Sequence, residues 1–201
     1  MIVWIYGASG HGKVILDILQ KLNVHVAGFL DDDDSLHVFM DYKVIRPAEL
    51  TGHNFEVAMA IGDNQTRKKV VERSRYNFAP AIHPSAVISA NATIEEGTVI
   101  MAGAIIQSGC SIGKHVIINT GAIVDHDCAI GDFAHISPGA VLCGNVTIGD
   151  CTWVGAGSTI IEGITVGRNV IVGAGSLIRE DVPESVLVVG NPQRTVRPVR
   201  Q

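Results

Sequence analysis

From Ile82 to Ile178 an aliphatic residue returns at every sixth position. The series runs 82, 88, 94, 100, 106, 112, 118, 124, 130, 136, 142, 148, 154, 160, 166, 172 and 178, each Ile, Val or Leu. The residue four places on is most often small: Ala86, Ala92, Ala104, Cys110, Ala122, Cys128, Ala134, Ala140, Ser158 and Ser176. Such a hexad predicts a parallel β-helix. Each flat edge takes six residues and three edges close a triangular coil. The aliphatic side chain points into the prism and the small one fits near its corner. A second period, of 18, sharpens this. One column of turns reads MAGA, NTGA, SPGA, GAGS and GAGS, starting at 101, 119, 137, 155 and 173. Another reads GKHV, GDFA, GDCT and GRNV, starting at 113, 131, 149 and 167. The three edges are therefore chemically distinct, and residues 18 apart stack at ~4.8 Å. No loop interrupts the coils. Trp153 points outward by register. Bulky apolar residues on such outer faces are ordinarily buried in a symmetric oligomer, here expected to be a homotrimer.

The first 80 residues follow another pattern. IVWIY reads as a buried strand, and GHGKVILDILQKL has helical spacing at Val14, Ile15, Ile18, Leu19 and Leu22. VHVAGFL and EVAMAIG read as further strands, and NQTRKKVVERSRY as a charged helix. Strands alternating with helices predict a small parallel α/β domain. Eighty residues are too few for a full dinucleotide-binding fold, so a truncated Rossmann-like unit is expected over 1–80. The β-helix with a short C-terminal tail is expected over 81–201.

Composition narrows the function. The chain has 201 residues, 47% of them hydrophobic and 5% aromatic, so its core is built from Ile, Val, Ala and Leu. Its net charge of −5 comes with no basic stripe, which argues against a nucleic-acid partner. The four Cys form no CxxC pair and read as reduced thiols of a cytoplasmic protein. MIVWIYGASG has neither the basic start of a signal peptide nor the length of a membrane span.

Candidate chemistry sits in both halves. GASGHGK follows the first strand and opens the first helix, where backbone N–H groups suit a phosphate. The spacing Gly7, Gly12, Lys13 imitates a Walker A loop, but Val14 stands where Ser or Thr would hold Mg²⁺, which argues against an ATPase. A tight strand-to-helix turn would explain the glycines equally. Asp31 and Asp32 end the second strand, where a carboxylate can meet a ribose or base. DDDD also suits a solvated turn. Gly62 closes the third strand at the same sheet edge, and the convergence of three strand ends favours nucleotide binding.

In IVDHDCAIGDFAH, Val124 and Cys128 take inward positions, so His126 lies at an outer corner. Its stacking neighbours, Ser108 and Gly144, are small. Asp127 beside it would raise its basicity and fix its tautomer. A decorative surface histidine is the plain alternative. His135 takes an outward strand position between Ile117 and Trp153; it could pack in a subunit interface or donate to a thioester carbonyl. His115, His126 and His135 fall on different edges, which argues against a metal site. The column Thr120, Pro138, Ala156, Ala174 would leave a groove in which an extended ligand such as pantetheine reaches backbone amides. Small residues are also what tight corners need. Cys110 and Cys128 face inward, which disfavours a covalent acyl-enzyme.

YGASGHGKV, FLDD, AIGDNQTRKKV, the uninterrupted hexads, DHDCAIGDFAHISPGAVLCGNV and the closing VVGNP resemble the bacterial sugar acetyltransferases of the PglD/NeuD kind, over nearly the whole chain and with both domains in order. The resemblance implies a Rossmann-like N-terminal domain, a left-handed β-helix and a trimer. It implies acetyl transfer from acetyl-CoA, as cosubstrate, to a nucleotide-linked amino sugar, most simply a UDP-4-amino sugar, for surface glycan or glycoprotein synthesis. In the NeuD branch the acceptor is a sialic acid oxygen. By position, His126 matches the general base and Asp127 its supporting acid. His135, Ala156 and Ala174 match acetyl-CoA contacts. Ser9, Gly10, His11, Asp31, Asp32 and Gly62 match the nucleotide-sugar site. The segment Asp33 to Val44 is expected to be a variable loop. A non-catalytic nucleotide-sugar-binding trimer is the other class left open.

Overall fold

The computed structural model describes residues 2–52 and 54–199. The N-terminal part is a five-stranded sheet: β1 (Ile2–Tyr6), β2 (His25–Leu30), β3 (Val38–Phe39), β4 (Tyr42–Ile45) and β5 (Glu56–Met59), in the order β3-β4-β2-β1-β5. All pairings are parallel except the β3–β4 hairpin. Helix α1 (Gly10–Lys21) covers one face with Ile15, Ile18 and Leu19 against Val3, Ile5 and Phe29. Helix α2 (Asn64–Arg73) covers the other, placing Val70 near Trp4, Tyr6 and Met59. Burial on both faces is why these strands read as unbroken hydrophobic runs. The helix-to-strand approach is tight at Gly12: a Cβ there would strike the carbonyl of Gly7, the turn residue at φ +115.

The segment Asp33–Val44 is not simply a loop. It contains β3 and most of β4, and β4 joins the sheet beside β2 with Phe29 opposite Val44. The hairpin turns at Met40 and Asp41, both at positive φ, without glycine.

The hexads build a parallel β-helix with three walls. The first, here the docked wall, stacks Ala81–Ile82, Val99–Ile100, Ile117–Ile118, His135–Ile136, Trp153–Val154 and Ile171–Val172. It is extended by Val186–Val189 and the antiparallel Arg194–Pro198. The second, the aliphatic wall, runs from Val87–Ile88 through Ile105–Ile106, Ile123–Val124, Val141–Leu142 and Thr159–Ile160 to Leu177–Ile178. The third, the polar wall, shows Thr93, Ser111, Ala129, Thr147 and Thr165 outward. The register is 18 from coil to coil of the hexads: Ile117 faces His135, His135 faces Trp153 and Trp153 faces Ile171. The sixth-position aliphatics from Ile100 to Ile178 are at most 3% exposed and fill the prism with the small corner residues.

The N-terminal part docks on the first coils. Ala81, Val99, Met101 and Ile117 share one apolar cluster with α1 and the sheet. At α2, Asn64 donates to the carbonyls of Cys151 and Thr152 at 3.0 and 3.3 Å.

Candidate functional site

His126 stands at the corner between the aliphatic and polar walls. Its side chain is 60% exposed, and its Nδ1 lies 2.9 Å from Asp127 Oδ2. Asp127 sits at φ +60, a left-handed turn position that Asp tolerates better than most residues. This backbone turn aims its carboxylate back at the imidazole. The hydrogen bond that the ring donates to Asp127, with the charge of Asp125 and further help from Glu162, raises the pKa of His126. Gly144 lies one coil away: a Cβ there would be 2.6 Å from the ring. Register, small neighbour and acidic partner all leave His126 open to solvent and basic.

His135 sits on the docked wall in a different setting. It is 8% exposed and stacks on Trp153 at 5.7 Å between ring centroids, with the planes 2° apart. Its cover comes from its own chain, with the Gly62 backbone against the ring and His11 and Arg67 near enough to act on its charge, so no subunit interface is needed to explain its burial. Asn119 Oδ1 accepts from the Thr120 amide at 2.7 Å, which turns Asn119 Nδ2 toward His135 Nε2 at 3.1 Å. The ring proton then belongs on Nδ1. That atom is buried near the Gly62 carbonyl but makes no hydrogen bond within the protein. Burial and the nearby Arg67 charge push the His135 pKa down to about 3, so the ring is a neutral donor.

Beside His135 a groove of about 400 Å³ runs along the corner between the docked and aliphatic walls, lined by Pro138, Trp153, Ala156, Ile171 and Ala174. Its floor carries no long side chain at Ala156 or Ala174, which leaves backbone amides within reach of an extended ligand.

At the N-terminal part, the turn from β1 into α1 is stapled by Asp31, whose Oδ2 accepts from the Ala8 amide at 2.8 Å. Asp31 thus shapes this turn. Ser9 and Gly10 are exposed at the start of α1, and the Ser9 hydroxyl makes no capping bond. His11 is largely buried. Its Nε2 has no partner in the protein, and burial with the Arg67 charge lowers its pKa to about 4. Asp32 pairs with Arg73 and accepts from Tyr6 at 3.2 Å. A cavity of about 430 Å³ opens there, at the carboxyl ends of β1, β2 and β4, with Arg46 and Tyr76 in its walls. Ligands of open α/β sheets bind at that edge.

The structure therefore gathers His11, Gly62, His135 and the Ala156–Ala174 groove along one side of the chain. Asp32 faces the cavity at the strand ends, which shares no lining residue with that groove. His126 and Asp127 are not in that group: within one chain they occupy the next corner, across the aliphatic wall. Several residues that shape the site escaped sequence reasoning, among them Arg67, Asn119, Tyr6 and Arg73. For Arg67 a signal existed, since Asn64, Arg67 and Val70 recur every third residue and are all buried. Cys110 and Cys128 are 1% exposed. Among the described residues, no group of three or more His, Cys, Asp and Glu is placed to hold a metal, and no helix is long and apolar enough to cross a membrane.

Comparison with known proteins agrees with this architecture. Residues 2–74 match the family described as PglD N-terminal domain, and residues 91–126 and 145–180 match bacterial transferase hexapeptide (six repeats). PerB from Caulobacter crescentus, solved in complex with CoA and GDP-perosamine, is 36% identical with a TM-score of 0.93, over 98% of this chain and 98% of that one. The acetyltransferase domain of PglB from Neisseria gonorrhoeae FA1090, solved with acetyl coenzyme A, is 36% identical with a TM-score of 0.91, over 97% and 98%. The UDP-N-acetylbacillosamine N-acetyltransferase of Bacillus subtilis (strain 168) is 38% identical over 110 residues, 50% of this chain and 51% of that enzyme. The match thus spans about half the length of that curated relative.

Proposed function

The chain belongs to the acetyltransferase family that joins a PglD N-terminal domain to bacterial transferase hexapeptide repeats, and from that premise we propose that it moves an acetyl group from acetyl-CoA to the amine of a nucleotide-linked amino sugar. The observation that carries this reading is the pairing of a basic, exposed His126–Asp127 corner with a groove bare of side chains that the neutral His135 lines.

In this reading acetyl-CoA lies along Ala156 and Ala174, with the neutral His135 ring beside its thioester. The nucleotide is held at the strand ends by Ser9, Gly10, His11, Asp31, Asp32 and Gly62. The sugar amine attacks the carbonyl carbon and its proton passes to His126, which Asp127 orients. The C–S bond then breaks, and the CoA thiolate leaves and takes up a proton. A preorganised donor stabilises the oxyanion in between. Buried Cys110 and Cys128 have no part in it.

His126 and the groove lie on opposite edges of the aliphatic wall. That wall turns Val87, Ile105, Ile123, Val141, Thr159 and Leu177 outward, all at least partly exposed, whereas the polar wall turns out Thr, Ser and Ala. A column aliphatic at every coil but that of Thr159, with Val87 to Val141 contiguous, suits self-association. Threefold packing on these walls would set the His126 corner of one protomer beside the groove of the next, completing the site in a homotrimer. Four free thiols and an acetyl-CoA substrate suit the cytoplasm, and the product suits surface glycan or glycoprotein synthesis.

The test is a panel of UDP-, GDP- and dTDP-linked 4-amino sugars with acetyl-CoA, following free thiol. One sugar, the UDP-linked series being the first expectation, should release thiol in step with acetylation. Release with none of them would overturn the proposal.

A further inference from the structure

Among the described residues Arg67 is the largest fully buried side chain, at 1% exposure, in a helix whose other basic residues face solvent. Its guanidinium meets only neutral acceptors. Nε donates to the His115 carbonyl at 2.9 Å. Nη1 donates to the carbonyls of Ile61 and Gly62, both at 3.0 Å. Nη2 donates to Asn64 Oδ1 at 2.8 Å and to the carbonyls of Phe133 and Ala134 at 2.7 and 3.3 Å. Among the described residues no carboxylate pairs with it in a salt bridge. Asp63 acts on it only through space, and burying a cation without a paired counter-charge is costly. What the cost secures is geometric, because the acceptors lie on two separate parts of the fold.

One branch of the fork holds Ile61 and Gly62, the loop that follows β5. The other holds Phe133 and Ala134, and the Ala134 carbonyl belongs to the peptide that leads into His135. Gly62 in turn lies against the His135 ring. The same guanidinium thus grips the backbone that carries His135 and the loop that faces its ring. A planar fork fixes the spacing and angle of both; an ammonium, a single point charge on a flexible stem, cannot.

We propose that Arg67 is a positioning residue, which sets the gap between the loop on the nucleotide side and the imidazole on the acetyl side. It acts through Gly62 and His135 and touches neither substrate. This rests on the reading of the site given above. Its charge has a second effect. Arg67 and His11 are the charged or titratable groups acting on His135, Arg67 acts on His11, and in each case the positive charge opposes protonation of the imidazole.

Three variants test this, Arg67→Lys, Arg67→Met and Asn64→Ala, each checked for folding by thermal melting. Asn64→Ala removes one acceptor of the fork from the outside and serves if neither Arg67 variant folds. Two readouts apply. In steady-state kinetics, folded Arg67→Lys should lose ~10–100-fold in kcat, the scale of a misplacement near 1 Å, while the KM for each substrate moves less than about threefold. In the free protein, the histidine ring resonances of His135 should shift in all three variants, and in Arg67→Met its protonation should begin at higher pH than in the wild type. A folded variant with wild-type kcat, or with an unmoved His135 ring, would overturn the proposal. If no sugar is acetylated even by the wild type, the functional reading fails, while the ring resonances still decide the role of Arg67.

Discussion

His126 Nδ1 and Asp127 Oδ2 lie 2.9 Å apart although the two residues are adjacent in the chain. Neighbouring side chains in a strand point to opposite sides, so this contact exists only because Asp127 turns at φ +60. Asp127 raises the basicity of His126. A general base must be neutral to work, so turnover should fall as pH drops through the raised pKa of His126. Asp127→Asn should lower the plateau kcat by ~10-fold or more and move the acid limb to lower pH. A pH–rate profile reads both effects. An unmoved limb would remove Asp127 from the mechanism.

Gly144 offers a way to displace His126 without touching it. A Cβ there would sit 2.6 Å from the ring, and Gly144 is not in the left-handed region, so the backbone accepts alanine. Gly144→Ala should cost ~10–100-fold in kcat and leave coenzyme A affinity nearly unchanged. Calorimetry with coenzyme A, beside steady-state kinetics, checks the split. A large loss of affinity would mean that this corner also holds the cosubstrate.

A site shared between protomers makes a prediction about mixtures. His126→Ala removes the base, and Ala174→Trp fills the groove; each alone should be inactive. Co-expressed in equal amounts and assembled at random, they should form mixed trimers with one site in three intact, so that about a quarter of all sites combine an intact base with an intact groove. Activity near that level supports a site built across the aliphatic wall. No recovery would place both halves within one protomer.

Three buried histidines should make the fold acid-sensitive. Burial holds His11 and His115 at about 4 and His135 at about 3, against an ordinary 6.5. The unfolded chain takes up protons below pH 6.5, while the folded one resists until these lower values. Stability is therefore full above pH 6.5 and declines as pH falls toward 4, by several kcal/mol in order of magnitude. Thermal midpoints between pH 8 and 4 measure this. A flat profile would contradict it.

The β-helix could be read from the sequence because its rule is local: an inward aliphatic every sixth residue, a small corner residue four later, and an 18-residue stack. That rule placed His126 outside the prism and His135 between Ile117 and Trp153. The β3–β4 hairpin was less visible, since its strands have two and four residues and its turn uses Met40 and Asp41 rather than glycine. The cover over His135 and the fork of Arg67 were hidden for another reason. They depend on how α2 meets coils that lie 48 to 67 residues further along the chain. A helix rich in charge reads as solvated unless the spacing of Asn64, Arg67 and Val70 is weighed.

The central claim is that His126 takes the proton in acetyl transfer from acetyl-CoA to a nucleotide-linked amino sugar. Thiol release by the wild type and by His126→Ala, on the best acceptor from the panel, tests it most directly. The expected loss in kcat is ~10²–10⁴-fold, with the variant still binding coenzyme A. Equal turnover in the two proteins would contradict the claim.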